Sequence, residues 1–319
     1  MRVLLIVNAV ASAVTPRRRV VIQKALGADH QLEVAETSRR GHAARLARGA
    51  AMDGVDVVVV LAGDGTLNEA ADGLAGTRTA LAPLPGGSTN VFARTLGISR
   101  DPVEATAELL ESLDAASFRR IGLGSVEGRH FVFHCGIGFD AAVIEQAERR
   151  SVLKRFAAPP LFTYAAFETW LRTYDHRRGR FDVAVDGADG DAVRDAIFTI
   201  VSNTTPYTFF GSRPVVVAPA AALDAPFELM IMTTRRTTDI LRVAASALGS
   251  GRFIRHNPGI ALRHAAARVR VTGHGPFPYQ VDGEYLGEVD ELTIAYEPDA
   301  LTVVTPVDPT RRAPDRERS

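Results

Sequence analysis

The stretch Val57-Val58-Val59-Val60-Leu61-Ala62-Gly63-Asp64-Gly65-Thr66-Leu67-Asn68-Glu69 restricts the fold more than any other part of the chain. Four valines and a leucine without a polar break suit a strand buried on both faces, the habit of a central parallel strand. A parallel strand needs a crossover, and the Gly-Asp-Gly turn leads directly into helix-forming residues. Thr66 and Glu69 have the spacing of a capping box, which predicts a helix over residues 67–74. A glycine turn at a helix N-terminus offers backbone N–H groups to an anion. Asp64 would repel a bare phosphate, so the turn predicts Mg²⁺ between its carboxylate and a phosphate ligand. The stretch is neither a P-loop, which needs a lysine, nor a G-x-G-x-x-G fingerprint. Gly-Asp-Gly is also an ordinary turn sequence, so a plain strand-turn-helix junction stays open at this point.

The flanking pattern extends the same architecture. Strands are predicted at residues 2–7, 31–35, 55–61 and 79–83, and helices at 17–26 (stopped by Gly27), 41–51, 90–96 and 102–113. This alternation implies an open parallel α/β sheet. A second glycine turn, Pro85-Gly86-Gly87-Ser88-Thr89-Asn90, follows the strand at 79–83, with Ser88 or Thr89 as N-cap of the next helix and Gly97 just past its end. Two glycine turns after neighbouring strands fit the ligand crevice of an α/β sheet.

The second half reads differently. Short strand candidates at 181–186, 196–202, 215–218, 227–232, 268–272, 279–282, 291–296 and 301–305 are separated by Gly, Pro or Asp. Two helices interrupt them, near 161–173 and 239–248. The pattern predicts an antiparallel β-sandwich. The domains expected are therefore 1–120, an α/β nucleotide-binding domain; 121–306, a β-sandwich domain; and 307–319, a charged tail.

The 37 basic and 37 acidic residues of the 319-residue chain cancel, which argues against a nucleic-acid partner, since phosphate-backbone binding draws on a basic surface. Arginine makes up 35 of the basic residues, a bias that suits either genome composition or bidentate phosphate recognition. Cys135 is the only cysteine, so no intrachain disulfide or cysteine-based zinc site is available. No apolar run reaches the ~18 residues of a membrane-spanning helix. Residues 2–13 loosely mimic a signal peptide, but Asn8 breaks a short apolar run that reads better as a buried strand. A cytoplasmic protein is the expectation.

Taken together, the motifs resemble the diacylglycerol kinase catalytic-domain family, which includes bacterial lipid kinases and sphingosine kinases. Residues 62–69 resemble its GGDGTxNE signature, residues 85–94 its P-x-G-T-x-N-D-F-A-R segment, Val281-Asp282-Gly283-Glu284 its late D-G-E motif, and Gly136-Ile137-Gly138-Phe139-Asp140-Ala141 a further segment. The resemblance spans residues 2–306. It implies an NAD kinase/diacylglycerol kinase-like α/β domain, a C-terminal β-sandwich that takes the lipid, and ATP and Mg²⁺ as cofactors. By motif, ATP would be contacted by Asn8, Thr37, Ala62, Gly63, Asp64, Gly65, Thr66, Asn68, Gly87, Ser88 and Asn90. Asp64 would act through Mg²⁺, and Glu284 would be the base that takes the proton of the lipid hydroxyl. Asp140 would hold an amino-alcohol head group, as in sphingosine kinases. A structural Mg²⁺ would use the carbonyls of Ala221 and Pro226 and the side chain of Asp224.

The departures from the family pattern are Ala62 for the first glycine, Ala9 for a proline after Asn8, Val91 for the Asp of N-D-F, and Gly122 for a second Asp. They leave the acceptor open between diacylglycerol and a sphingoid-type lipid. Arg149, Arg150, Lys154 and Arg155 form a candidate clamp for the outer phosphates, with a solvated helix face as their other and favoured reading. Phe156, Leu161, Phe162, Tyr164, Phe167, Trp170, Phe209, Phe210 and Phe277 are candidates for an acyl-chain slot, with core packing as their other role. The expected function is an ATP-dependent lipid kinase in transient peripheral contact with the inner face of a membrane, with a homodimer allowed. A nucleotide-binding regulatory protein that has lost catalysis, and less favourably an NAD kinase, are the alternatives.

Overall fold

A computed structural model describes residues 1–149, 168, 174, 178–186, 192–249 and 251–307. The chain forms two compact units. One comprises Met1–Ile121 and the segment from Asp299 onward, and the other comprises Gly122–Pro298.

The first unit contains β1 (Arg2–Val7), β2 (Gln31–Glu36), β3 (Val57–Ala62) and β4 (Ala80–Pro85), in the order β2-β1-β3-β4, all parallel. Helices α1 (Pro16–Asp29), α2 (His42–Met52), α3 (Asp64–Leu74), α4 (Val91–Thr95) and α5 (Pro102–Asp114) alternate with and follow the strands. β3 and β4 are buried along their whole length, and their neighbour β1 is buried from its second residue on. Central strands covered on both faces need no polar alternation, which explains the valine run. Expectation placed residues 299–306 with the second domain. Val303 instead pairs in parallel with Leu81 of β4, so the last strand completes the first unit's sheet.

Two helix boundaries differ from the sequence reading. α1 starts at Pro16, with the Thr15 hydroxyl accepting from the Arg18 amide, and runs through Gly27 to Asp29. One interior glycine costs about 1 kcal/mol, which burial of Ile22 and Leu26 on the same helix outweighs. α3 starts at Asp64, with Gly63 as its N-cap and no capping side chain, so Thr66 and Glu69 form no capping box. Glu69 instead serves a neighbour, accepting the amides of Gly41 (2.8 Å) and Ala43 (3.1 Å) at the start of α2.

The second unit is antiparallel. Its strands are β5 (Phe118–Val126, entering from the first unit), β6 (Arg129–Phe131), β7 (His134–Gly138), β8 (Phe181–Asp186), β9 (Val193–Ala196), β10 (Phe198–Ser202), β11 (Thr208–Phe210), β12 (Arg213–Val215), β13 (Phe227–Met232), β14 (Ile260–Ala266), β15 (Arg268–Val281) and β16 (Glu284–Val304). The main order is β14-β13-β10-β7-β15-β16. β15 breaks register between Thr272 and Phe277; its first half pairs with β8 and its end with β7.

Alternation along β13 shows how two cores share this unit. Phe227, Leu229 and Ile231 enter a core with Phe131, Phe181 and Phe277. Met230 and Met232 point the other way, into a core with Phe198 and Ile260. That second core is covered by α6 (Phe139–Arg149), α7 (Thr237–Ala247) and α8 (Arg252–His256), through Ala142, Val243 and Ile254. The helix expected near 161–173 lies outside the described residues. Among the described residues, no helix is long and apolar enough to cross a membrane.

Candidate functional site

Parallel strands end at a common edge, and the predicted nucleotide residues gather there. Asn8 follows β1, Thr37 follows β2, Gly63 follows β3 and Gly86 follows β4. Asn8 donates through Nδ2 to the Thr66 hydroxyl at 3.2 Å, and the Thr37 amide donates to the Val7 carbonyl at 2.9 Å. The two glycine turns close on each other: the Gly86 amide donates to the Ala62 carbonyl at 2.9 Å. A Cβ at Gly86 would lie 2.7 Å from the Ala62 nitrogen, and one at Gly87 would lie 2.7 Å from the Gly63 Cα. Glycine is therefore required here by backbone packing. Ala62 has no positive φ, so its methyl group in place of the first glycine causes no backbone strain.

Asn90 locks the second turn, with Gly87 N–H donating to its Oδ1 and its Nδ2 donating to the Gly87 carbonyl, both at 2.8 Å. Asn90, at φ 50°, is also the N-cap residue of α4, so neither Ser88 nor Thr89 fills that position; Ser88 is exposed. Asn68 is buried within α3 and Gly65 is exposed.

Asp64 accepts from the Phe92 amide at 3.3 Å, at the start of α4. Burial raises its pKa, and hydrogen bonds from the Val91, Phe92 and Asn90 amides pull it back down. Among the described residues, no three of His, Cys, Asp and Glu come together as a metal ligand set. A lone carboxylate fits Mg²⁺ only when most of its coordination comes from phosphate oxygens and water, which is how Mg²⁺ is usually bound beside a nucleotide.

In the second unit, Glu284 opens β16 directly after the Asp282-Gly283 turn. Val281 and Glu284 are register partners, and φ is 48° at Asp282 and 82° at Gly283, as a two-residue hairpin requires. The Asp282 carboxylate accepts the amides of Val132 (2.8 Å), Phe133 (2.9 Å) and His134 (2.9 Å). Burial lifts its pKa to about 7 against these hydrogen bonds. Glu284 is paired with Arg129 at 2.6 Å, both side chains being largely buried. Residues 129–134 thus hold both acids of the D-G-E motif. Neither Arg129 nor this anchoring role of Asp282 was anticipated from sequence, because both depend on contacts about 150 residues apart.

Asp140, at the start of α6, accepts from the Tyr207 hydroxyl at 2.7 Å and the Gln280 side-chain amide at 2.6 Å. Burial raises its pKa, opposed by these two donors. The His134 ring packs against that of Tyr207 with centroids 4.2 Å apart and planes tilted by 34°, and burial depresses the His134 pKa to about 3, leaving it neutral.

Ala221, Asp224 and Pro226 lie on the loop before β13, with Asp224 exposed. The donor set is all oxygen, which suits Mg²⁺ chemically. Beneath the loop, buried Glu228 takes the Ala220 amide at 2.5 Å, while its Oε1 is buried without a hydrogen bond, beside His264 at 3.2 Å.

Of the candidate clamp, Arg149 is bound to Glu145 at 2.6 Å on its own helix, and Arg150, Lys154 and Arg155 lie outside the described residues. Phe156, Leu161, Phe162, Tyr164, Phe167 and Trp170 also lie outside them. Phe277 is fully buried in the β-sheet core, so its role is packing, whereas Phe210 is 49% exposed on a two-stranded hairpin. A Cβ at Gly122 would overlap the Tyr296 ring, which occupies the space an aspartate would need.

Known proteins resemble this chain in sequence and in fold. The model of the diacylglycerol kinase catalytic domain matches residues 2–126, and that of the YegS C-terminal NAD kinase beta sandwich-like domain matches residues 134–305. A diacylglycerol kinase of Bacillus subtilis (strain 168) is 29% identical over 270 residues, covering 84% of each chain. A "Probable lipid kinase YegS-like" of Pseudomonas aeruginosa (strain UCBPP-PA14) is 28% identical over 304 residues, covering 94% of this chain and 93% of the other. The crystal structure of a diacylglycerol kinase from Bacillus anthracis str. Sterne superposes with a TM-score of 0.68 at 20% identity over 97% of both chains. An NAD kinase from Archaeoglobus fulgidus, solved in complex with ATP, shares the fold more distantly, with a TM-score of 0.54 at 13% identity over 96% of this chain and 94% of the other. With both domains matched in order along one chain, the protein belongs to the diacylglycerol kinase catalytic-domain family and carries a YegS C-terminal NAD kinase beta sandwich-like domain.

Proposed function

We propose that the protein is an ATP-dependent lipid kinase that transfers the γ-phosphate of ATP to a lipid hydroxyl. The observation that carries this reading is the pair of interlocked glycine turns at the carboxyl edge of the parallel sheet, with Gly86 bound to Ala62. Backbone amides held in such a turn favour phosphate, and their close packing keeps side chains out of the ligand's way. Phosphoryl transfer asks the protein mainly for alignment and charge neutralisation. Mg²⁺ bound with the nucleotide would neutralise phosphate oxygens, with Asp64 as its carboxylate on this chain.

The acceptor hydroxyl oxygen forms a bond to the γ-phosphorus while the bond from that phosphorus to the β,γ-bridging oxygen breaks and ADP leaves. Glu284 takes the hydroxyl proton. A positioned base of this kind contributes roughly 10²–10⁴-fold. The ion pair to Arg129 holds one carboxylate oxygen of Glu284 and thereby orients the other. The acceptor is a diacylglycerol or a sphingoid-type lipid taken from a membrane surface in transient contact, on the cytoplasmic side.

One observation favours a second reading, a nucleotide-binding protein without transfer: neither position 91 nor position 122 carries an acid, and Tyr296 fills the space beside Gly122. Both readings are tested by incubating the protein with γ-labelled ATP and Mg²⁺ against vesicles containing diacylglycerol, ceramide, a sphingoid base or phosphatidylglycerol, with NAD as a further arm. Labelled lipid supports the kinase. ATP binding without label in any lipid supports the second reading, and label in NAD overturns both.

A further inference from the structure

The buried polar chain that starts at Asp140 does not end at Gln280. Gln280 is fully buried in β15, with its Nε2 on Asp140 and its Oε1 accepting the amide of Gly283 at 2.7 Å. Gly283 is the second residue of the hairpin turn, and Glu284 comes next. The path is thus continuous: Tyr207 hydroxyl to Asp140 carboxylate, Asp140 to the Gln280 amide group, and Gln280 to the backbone that carries Glu284.

Three further features show that the path is built into the fold. Gln280 pairs across the sheet with Gly136 of β7, and a Cβ at Gly136 would overlap both the Asp140 carboxylate and the Gln280 amide. Glycine at 136 is therefore what admits the pair. Tyr279 and Val281, on either side of Gln280, point into the apolar core, so Gln280 faces the opposite side of the sheet, where α6 supplies Asp140. The turn is also held at its other residue, because the Asp282 carboxylate takes three amides from residues 132–134. Two buried carboxylates thus fix two successive residues of one two-residue turn. A turn in a surface hairpin needs neither.

We infer that Asp140, acting through Gln280, is a positioning residue that fixes the Gly283 amide and so aims Glu284, and that it does not serve as a contact for the lipid head group. This rests on the kinase reading for its effect on turnover, but not for its effect on the turn. Positioning and head-group contact make opposite demands. A residue that aims the base acts on every acceptor alike and changes kcat. A carboxylate that holds an amino-alcohol acts on amine-bearing acceptors and changes KM.

The experiment uses the full chain and four proteins: wild type, Gln280→Leu, Tyr207→Phe and the exchange variant Asp140→Asn/Gln280→Glu. In the exchange variant Tyr207 donates to the amide oxygen now at position 140, and the amide nitrogen there donates to the carboxylate now at position 280. The second oxygen of that carboxylate accepts from Gly283. Every hydrogen bond of the path is restored with the carboxylate moved by one step. Hydrogen exchange of the Gly283 amide is measured first, then kcat and KM with diacylglycerol and with a sphingoid base.

The inference predicts faster Gly283 exchange in Gln280→Leu and wild-type exchange in the exchange variant. It predicts a kcat for Gln280→Leu lower by about 10²-fold on whichever acceptors the wild type uses, the cost of a misplaced catalytic group. The exchange variant recovers to within about threefold, as a coupled pair should. Tyr207→Phe, which keeps the ring, gives a smaller loss in kcat with the same KM. Unchanged Gly283 exchange in Gln280→Leu overturns the inference, as does a defect confined to KM for the amine acceptor. If the wild type phosphorylates no lipid, the kinase reading fails, and the exchange data still decide whether Asp140 and Gln280 hold the turn.

Discussion

The two units prepare their functional groups by opposite means. In the first, the candidate site is backbone: Ala62–Gly63 and Gly86–Gly87 pack against each other without Cβ atoms between the turns, and the parallel strands bring their loops to one edge. In the second, it is side chain: Gln280 and Asp282, beside Glu284 in sequence, and Arg129 and Asp140, about 150 residues earlier, converge on one turn and on Glu284. A backbone site tolerates almost no added volume, whereas a side-chain site tolerates volume but not the loss of a partner. Substitutions in the two units should therefore fail differently.

The largest effect is expected at Gly86. Gly86→Ala puts a methyl group against three backbone atoms of residue 62, none of which can swing aside. It should cost about 1–3 kcal/mol of stability, as overpacking does, and abolish detectable ATP binding by calorimetry. Wild-type ATP affinity in this variant would break the claim that the first site is a backbone device.

A pH effect sharpens the side-chain half. Asp282 is lifted from 3.8 to about 7, so the folded unit binds that proton more tightly than the unfolded chain. Its contribution to stability is fully present below 3.8 and is lost as pH rises through about 7. His134 is depressed from 6.5 to about 3, so its contribution is present above 6.5 and is lost as pH falls through about 3. The two slopes oppose each other between 3.8 and 6.5. His134→Gln removes one of them, and the unfolding free energy of the second unit should then fall between pH 5 and 6.5 by on the order of 1 kcal/mol per pH unit, steeper than in wild type. Identical profiles for the two proteins would contradict the assignment.

The smallest effect is expected at Glu69, which caps a helix in the first unit from another element. Glu69→Ala should cost about 1 kcal/mol in urea unfolding, the usual worth of a cap, with lipid phosphorylation within about threefold of wild type. No change in stability would argue that the Gly41 and Ala43 amides do not depend on it.

The same contrast explains what could be read from the sequence. The α/β half is written in contiguous signals: apolar runs for buried strands, glycine turns after them, and helices between. The two glycine turns were legible because turns packed this closely need glycine, and glycine is visible. Local reading went wrong where a partner came from elsewhere, as at Glu69, which matched a capping box within α3 but serves α2. In the second unit, the family resemblance singled out Glu284, and Asp-Gly before it is a residue pair that suits a two-residue hairpin. The chain from Tyr207 through Asp140 to Gln280 had no sequence pattern, because its members lie on separate segments far apart in the chain. The one available signal was a glutamine flanked by Tyr279 and Val281, a polar residue at a position too apolar to leave it unpartnered. Phe277, an acyl-slot candidate by its aromatic character, proved to be core because β15 alternates and turns that face inward.

The central claim is that Glu284 takes a proton during phosphoryl transfer to a lipid. The most direct measurement is single-turnover transfer from γ-labelled ATP to the preferred lipid by Glu284→Gln, with ATP affinity determined on the same protein. The account predicts unchanged ATP affinity and a transfer rate lower by about 10²–10⁴-fold, the range for loss of a general base. Transfer at the wild-type rate would contradict it.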